Sequence, residues 1–319
     1  MKRLSIYFFW DKDGVVSDYV LYQLREMRKF VSESCLVVNG SLNEVGMAVV
    51  KEVVDTILVR DNVGMDAAAY QHAIRHYGYE RLCEYDELIL WNYTCYGPFG
   101  SFGDIFDKMD HVDCGFWGLG RWPTYAPHRE YHHIPSYFCG YRKSLLKSSL
   151  FSEYWEKLGD TSTYDLSVRN HEQLQTPYYE EKGVKTAVWF EDTEKYEDAW
   201  HTNMMPLLCS DRMIIEDHFP LVKRRIFSPF STGYSHYSPV VYNILNHIAT
   251  FIPEYDISLI VKDLYRIGVV EPYNISKLRL LGLRIHAWLA FSGKKRKKRL
   301  KKYQWALQSC QVYRFLSKS

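Results

Sequence analysis

The segment from Asp86 to Phe99, DELILWNYTCYGPF, runs an acidic turn and an apolar strand straight into a polar loop containing Gly97 and Pro98. A short apolar run bounded by turn residues reads as a strand buried on both faces. The loop after such a strand is where an open α/β sheet carries its chemistry. Similar units surround it. Leu4 to Trp10 reads as a first strand, followed by a helical face of Val20, Leu24, Met27 and Val31 at offsets 0, 4, 7 and 11. Leu36 to Asn39 and Thr56 to Arg60 read as strands, Val45 to Val54 as a helix, and Ala67 to Tyr77 as a helix with Asp66 at its cap. Leu88 to Trp91, Cys114 to Trp117, Ser136 to Tyr141 and Lys185 to Phe190 supply further strands, with a helix over Lys143 to Leu158. Strand and helix units joined by short connections predict an α/β fold, a mainly parallel sheet flanked by helices. Beyond Phe227 the strand pattern stops, and Tyr242 to Ile252, Ile257 to Ile267 and the tail read as helices. The expected division is residues 1–227 as an α/β domain and 228–319 as a helical region with a basic tail.

The 319 residues are 47% apolar, enough for one large core with an extension. Seven cysteines, an odd number without a CxxC pair, suggest neither a disulfide framework nor a zinc ribbon, and a reducing cytoplasm fits them. The opening MKRLSIYFFWDKDG has too short an apolar run for a signal peptide, and no small-residue cleavage site follows.

A net charge of +2 hides an asymmetry. Met1 to Glu271 holds 27 of the 40 bases and all 38 acids, whereas Pro272 to Ser319 holds 13 bases and no acid. In the tail, Leu278, Leu281, Ile285 and Trp288 form one apolar stripe and Leu300, Tyr303, Leu307 and Cys310 another, with KKRKKRLKK from Lys294 to Lys302 between them. The stretch LLGLRIHAWLAF, with Arg284 and His286, is too short and too polar to span a bilayer. A basic amphipathic helix can instead lie on an anionic membrane surface, or be the solvated face of packed helices. No nucleic-acid partner is expected, because the acidic body would repel a duplex and no RNA or DNA module is visible.

No GxGxxG, Walker loop, HExxH or GxSxG motif is present, since Gly118-Leu119-Gly120 lacks a third glycine. His128, His132 and His133 have a loosely metal-like spacing without acid or cysteine partners, and are expected to line a loop. Asp11 and Asp13 follow the first strand, where acids can accept from ribose hydroxyls or cap a turn. Asn62, Gly64 and Asp66, with Tyr70 one turn later, follow the third strand. Gly64 allows close backbone approach, and Asp66 can bond either a sugar hydroxyl or the helix backbone. Asn92 and Thr94 end the central strand. Arg60, Arg121, Lys223, Arg224 and Arg225 can grip phosphate or simply lie at the surface. Glu172, in Asn170-His171-Glu172-Gln173, opens an expected helix and is either a base or a first-turn acid favoured by the helix dipole. Asp165 is its reserve. Aromatic content of 16% suits sugar faces, with Tyr93, Tyr96, Trp117, Trp122, Tyr125, Tyr137 and Phe138 near strand ends, although most rings are expected in the core.

Read together, IYFFWDKDGVVSDYVLY, LVVNG, RDNVGMDAAAY, DELILWNYTCYGPF and SYFCGYRKSLL resemble, in unbroken order from Ser5 to Phe227, the rhamnan synthesis protein F family of glycosyltransferases. The resemblance implies a GT-A-like fold, with Asp11, Asp13, Asn62, Gly64, Asp66, Tyr70, Asn92 and Thr94 at the nucleotide sugar. It further implies Arg60, Arg121, Lys223 and Arg224 at phosphate, His132, His133, Tyr137 and Trp117 at the acceptor, and Glu172 or Asp165 as the catalytic base. GT-A enzymes commonly hold Mg²⁺ or Mn²⁺ with Asp-x-Asp at the position of Asn92-Tyr93-Thr94. Tyr93 stands where an acid is expected, which puts a divalent cation in doubt. The implied function is transfer of rhamnose or a related deoxyhexose from a nucleoside-diphosphate sugar to a growing, lipid-linked glycan at the cytoplasmic face of the membrane, by inversion. The rival is a non-catalytic glycan-binding or scaffold subunit.

Overall fold

The computed structural model describes residues 1–126, 129–191, 193–196, 209–227, 238–267 and 285. The chain divides into two compact units, Met1–Met205 and Pro206–Ser319. The first unit runs β1 (Arg3–Trp10), α1 (Asp18–Arg28), β2 (Glu33–Asn39), α2 (Glu44–Lys51), β3 (Thr56–Arg60), α3 (Met65–Tyr77), α4 (Tyr79–Leu82), β4 (Glu87–Asn92) and the two-residue β5 (Cys95–Tyr96). It continues with α5 (Phe102–Met109), β6 (Phe116–Gly118), β7 (Trp122–Ala126), β8 (Arg129–His133), β9 (Phe138–Arg142), α6 (Lys143–Leu146), α7 (Ser149–Glu156), α8 (Tyr164–Ser167), α9 (Gln173–Glu181) and β10 (Thr186–Val188).

Seven strands form one sheet in the order β10-β6-β9-β4-β1-β2-β3. All pair in parallel except β9, which is antiparallel to both β4 and β6. This is the α/β, mainly parallel architecture read from the sequence. Successive residues of a strand face opposite sides of the sheet. Accordingly Ile6, Phe8, Leu88 and Leu90 bury against Ala69, Tyr70, Ala73 and Ile74 of α3. On the other face, Tyr7 meets Trp91 edge-on at 4.4 Å, Trp91 meets Phe102 of α5 at 5.3 Å, and the Tyr7 hydroxyl donates to Gln23 of α1 at 2.7 Å.

Register sets the carboxyl-terminal edge of the sheet. Trp10 aligns with Asn39 and Asn39 with Arg60, while Asn92 lies beside Phe8. Because β9 runs the other way and Phe138 pairs with Trp91, the residues just before it, Ser136 and Tyr137, reach this same carboxyl-terminal edge.

Three local readings are corrected. The helix expected over Lys143 to Leu158 is broken, because the Ser148 hydroxyl accepts from the Leu150 N–H at 3.2 Å and starts a new helix, α7. Glu172 does not open a helix. It ends a five-residue π-helical turn, Val168–Glu172, between α8 and α9. His132 and His133 lie not in a loop but in β8, which pairs with β7 as a hairpin; His128 lies outside the described residues.

In the second unit, Ser210–Asp217, Ser238–Phe251 and Ser258–Arg266 are helical (α10, α11 and α12). Asn243 donates to Asp211 at 2.7 Å, tying α11 to α10, and Ile244, Leu245 and Ile248 are fully buried. The basic run Lys294 to Lys302 and its flanking stripes lie outside the described residues, apart from Ile285. Among the described residues, no helix is long and apolar enough to cross a membrane.

Candidate functional site

The loop after β3 is built to aim one carboxylate. Gly64 has φ of +80° and caps α3. A Cβ there would stand 2.4 Å from the Cβ of Ala68 and 3.0 Å from Oγ1 of Thr161, so the turn requires glycine. Met65 also takes a left-handed conformation, with φ of 54°, an uncommon and costly state for a non-glycine residue that clusters at functional sites. Arg60 braces the loop by donating from Nη1 to Asn39 Oδ1 at 2.7 Å and to the Val63 carbonyl at 2.8 Å. Fully buried Asn39 in turn donates to the Met65 carbonyl at 3.2 Å.

Asp66, so placed in the first turn of α3, is the hub of the edge. Its Oδ1 accepts from its neighbour's Ala67 N–H at 3.0 Å and from the Ser167 hydroxyl at 3.3 Å. Its Oδ2 accepts from Asn92 Nδ2 at 3.2 Å and lies 2.8 Å from Ser136 Oγ. Every one of these partners is neutral. The Asn92 side chain is fixed from its other end, where Oδ1 accepts from the Thr94 N–H at 3.2 Å and its hydroxyl at 2.6 Å.

Ser136 joins Asp66 to Glu172. Its N–H donates to Glu172 Oε2 at 3.1 Å, and its Oγ lies 3.0 Å from the same oxygen. Glu172 Oε1 is 3.7 Å from Nε2 of buried His133. The π-helical turn sets this geometry: a widened turn re-aims side chains relative to an α-helix, and such turns recur at functional sites. Its His171 is 1% exposed and bonds the Tyr154 hydroxyl through Nδ1 at 2.9 Å. Burial pushes the His171 imidazole below its ordinary value and keeps it neutral, against the opposing pull of Asp66 and Glu172.

Thus Asp66, Asn92, Thr94, Glu172 and His133, all chosen from sequence, are brought together. Tyr70 stands behind them, fully buried, with its hydroxyl donating to the Ser136 carbonyl at 3.4 Å. Asn62 is exposed in the same loop as Gly64. Asp11 holds its own turn, accepting at Oδ1 from the N–H groups of Asp13 and Val15 at 3.0 and 3.1 Å, and Asp13 is exposed.

Other choices fall elsewhere. Asp165 is exposed on α8. Trp117 is fully buried, donating to Glu87 at 2.6 Å, and Tyr137 is 4% exposed, so neither presents a ring face to a sugar in this arrangement. His132 is half-buried in β8. Arg121 is held by Glu180 at 2.8 Å and by Thr186. Lys223 and Arg224 belong to the second unit, where Arg224 pairs with buried Asp263 at 2.6 Å.

Tyr93 is half-buried just after β4. Its ring packs edge-on against Phe8 and Phe9, each at 5.6 Å. Among the described residues, no three His, Cys, Asp or Glu side chains gather into a set that could hold a metal. With Tyr93 where an acid would stand, the Asn92-Tyr93-Thr94 segment offers no paired carboxylates, so this donor set does not fit a divalent cation held in that way.

Sequence reasoning missed Ser136, Ser167 and Asn39. Ser136 lay inside a motif read as strand, and only the antiparallel entry of β9 reveals that it faces Asp66. Trp10, the last residue of β1, is 36% exposed beside Asp11.

Comparison with known proteins adds the following. No curated protein matches the chain. Among solved structures, a Staphylococcus aureus TarS fragment, residues 1–349, is 12% identical with a TM-score of 0.36, covering 84% of this chain and 92% of that one. Mouse xyloside xylosyltransferase 1 in its apo form is 11% identical with a TM-score of 0.35, covering 64% and 90%. A cytidylyltransferase from Leptospira borgpetersenii is 12% identical with a TM-score of 0.37, covering 86% and 98%. The family model for rhamnan synthesis protein F matches residues 35–285, a span that takes in Asp66, Asn92, Ser136 and Glu172. The chain therefore belongs to the rhamnan synthesis protein F family of glycosyltransferases.

Proposed function

We propose that the chain transfers rhamnose or a related deoxyhexose from a nucleoside-diphosphate sugar to a growing, lipid-linked glycan, with inversion at the anomeric carbon. The observation that carries this reading is the continuous hydrogen-bonded run Asn92, Asp66, Ser136, Glu172 at the carboxyl edge of the sheet. It supplies a fixed acid for sugar hydroxyls and a second carboxylate, partly exposed, for the acceptor.

In the proposed reaction Glu172 takes the proton of the acceptor hydroxyl, whose oxygen then bonds to the anomeric carbon. The bond from that carbon to the diphosphate breaks, and its electron pair leaves on the nucleoside diphosphate. One base and no covalent intermediate suffice for inversion. Asp66 and Asn62 contact the donor, Trp10 offers a ring face to the base beside Asp11, and the guanidinium of Arg60 meets phosphate. No metal step is included, because Tyr93 stands where a paired carboxylate would be needed. Attachment to the cytoplasmic membrane face rests on the charge of Lys294 to Lys302. The rival reading, a glycan-binding subunit without turnover, is favoured by the same Tyr93.

The test is purified full chain with a panel of nucleoside-diphosphate sugars, following diphosphate release with and without Mg²⁺ or Mn²⁺. Release from a deoxyhexose donor, little changed by chelator, is expected. Tight donor binding without release in the presence of acceptor glycan would favour the subunit reading.

A further inference from the structure

Arg60 ends the edge strand β3 and is half-buried. Its guanidinium is a rigid fork of N–H donors. Nη1 is tied to the protein, donating to Asn39 Oδ1 at 2.7 Å and to the Val63 carbonyl at 2.8 Å. Both acceptors are neutral. Among the described residues, the acid that acts on Arg60 is the exposed Asp61 next to it, and burial outweighs its pull, holding the guanidinium below its ordinary value. The same uncancelled charge reaches His72 of α3, whose imidazole lies below its ordinary value through burial first and then through Arg60 and His76.

Asn39 explains why the charge stays uncancelled. It is the last residue of β2, fully buried, and aligned with Arg60 in the sheet. Its amide can face one way. Oδ1 accepts from the guanidinium and Nδ2 donates to the Met65 carbonyl at 3.2 Å, whereas a flipped amide would set donor against donor and oxygen against oxygen. An aspartate here would accept from Arg60 equally well, but it would neutralise the guanidinium and set an oxygen against the Met65 carbonyl. The neutral amide instead fixes Arg60 by Nη1, clamps the left-handed Met65 turn, and leaves the charge in place. Nε and Nη2 remain, the pair of donors that can grip a phosphate with two parallel bonds.

We propose that Asn39 is a positioning residue for a phosphate subsite at Arg60, acting through the guanidinium and not on the ligand, and that its neutrality is what lets Arg60 bind a diphosphate. The place of this subsite in catalysis rests on the reading of this edge as the donor site. There the diphosphate departs with the electron pair of the broken glycosyl bond, and Arg60 meets the negative charge that builds on it.

The test is calorimetry on the full chain with inorganic pyrophosphate and with nucleoside diphosphates of several bases. Arg60→Gln should weaken binding by about tenfold or more, the usual worth of hydrogen bonds from a charged donor. Asn39→Asp, close in size, should weaken it to a similar degree, and Asn39→Ala by less. A role in packing alone expects the reverse order, because alanine leaves the larger gap. Added to Arg60→Gln, Asn39→Asp should lower affinity by less than about threefold more, since the two residues act together. Where Asn39→Ala does not fold, Asn39→Asp alone and combined with Arg60→Gln decides. The proposal is overturned by a wild-type chain that binds none of the probes, or by affinity unchanged in Arg60→Gln or in Asn39→Asp. A larger loss in Asn39→Ala than in Asn39→Asp, or fully additive losses in the double variant, overturns it as well. The expected pattern in a protein that transfers no sugar supports the subsite and removes only the assigned function. Transfer by a wild-type chain whose diphosphate affinity ignores Asn39→Asp does the opposite.

Discussion

The two ends of the central sheet both hold acids, and they treat them in opposite ways. At the amino-terminal end Glu87 is fully buried and met by cations: Arg3 Nε at 2.7 Å and Arg142 Nε at 3.1 Å, with Trp117 donating at 2.6 Å. Arg3 also binds Asp110, and its guanidinium stacks on Phe106 at 4.2 Å. At the carboxyl-terminal end, Asp66 is met by an amide, two hydroxyls and a backbone N–H, none of them charged. A carboxylate whose charge is cancelled inside the fold is structural. One held in place by neutral donors keeps its charge available for a ligand or a proton.

Removing charge at the two ends should therefore break different properties. The largest effect is expected from Glu87→Gln, which leaves Arg3 and Arg142 short of their counter-charge. A loss of about 3 to 5 kcal/mol in denaturant melts is expected, with nucleotide affinity of the folded protein unchanged. Asp66→Asn should cost less stability, about 1.5 to 3 kcal/mol for weakened hydrogen bonds to a charged acceptor, while donor affinity measured by calorimetry falls. Equal stability losses from the two variants would erase the distinction.

Next in size, Glu172→Gln should reduce transfer by about 10² or more while preserving donor binding, the usual contribution of a general base. Near-normal turnover would pass the base role to another acid, with exposed Asp165 the first to try. Trp10→Ala should weaken nucleoside diphosphate binding by about 1 kcal/mol if its ring stacks on the base. An unchanged affinity would remove Trp10 from the site.

The smallest expected effect is a pH dependence of stability from His171. Burial lowers its native pKa below the ordinary 6.5, so the unfolded chain gains the proton first as the solution is acidified. Its contribution is complete above about pH 6.5 and is lost as pH falls towards the native value. Melting temperature should drop between about pH 7.5 and about pH 5, and the drop should be smaller in His171→Gln. A drop of the same size in that variant would place its origin elsewhere.

The same contrast explains what could be read from the chain. The strands β1 to β4 were legible because each is an apolar run closed by a polar or glycine turn, and Thr56–Arg60 was placed to the residue. Asp66 and Asn92 were legible because the carboxyl ends of parallel strands are where such sheets bind ligands. Ser136 was not, since its role depends on an antiparallel strand inserted between β4 and β6, a long-range pairing that no local pattern encodes. The π-helical turn at Glu172 and the hairpin bearing His133 escaped for a related reason: tertiary contacts, not propensity, set them. Trp117 misled because an aromatic residue near a strand end looks the same in sequence whether it faces a sugar or Glu87.

The most direct test of the functional edge is a structure of the full chain with bound nucleoside diphosphate. The diphosphate is expected over the carboxyl ends of β1 to β4, with ribose or sugar oxygens within hydrogen-bond distance of Asp66 or Asn92 and the guanidinium of Arg60 at phosphate. A nucleotide bound away from this edge, with the Asp66, Ser136 and Glu172 contacts undisturbed, would contradict it.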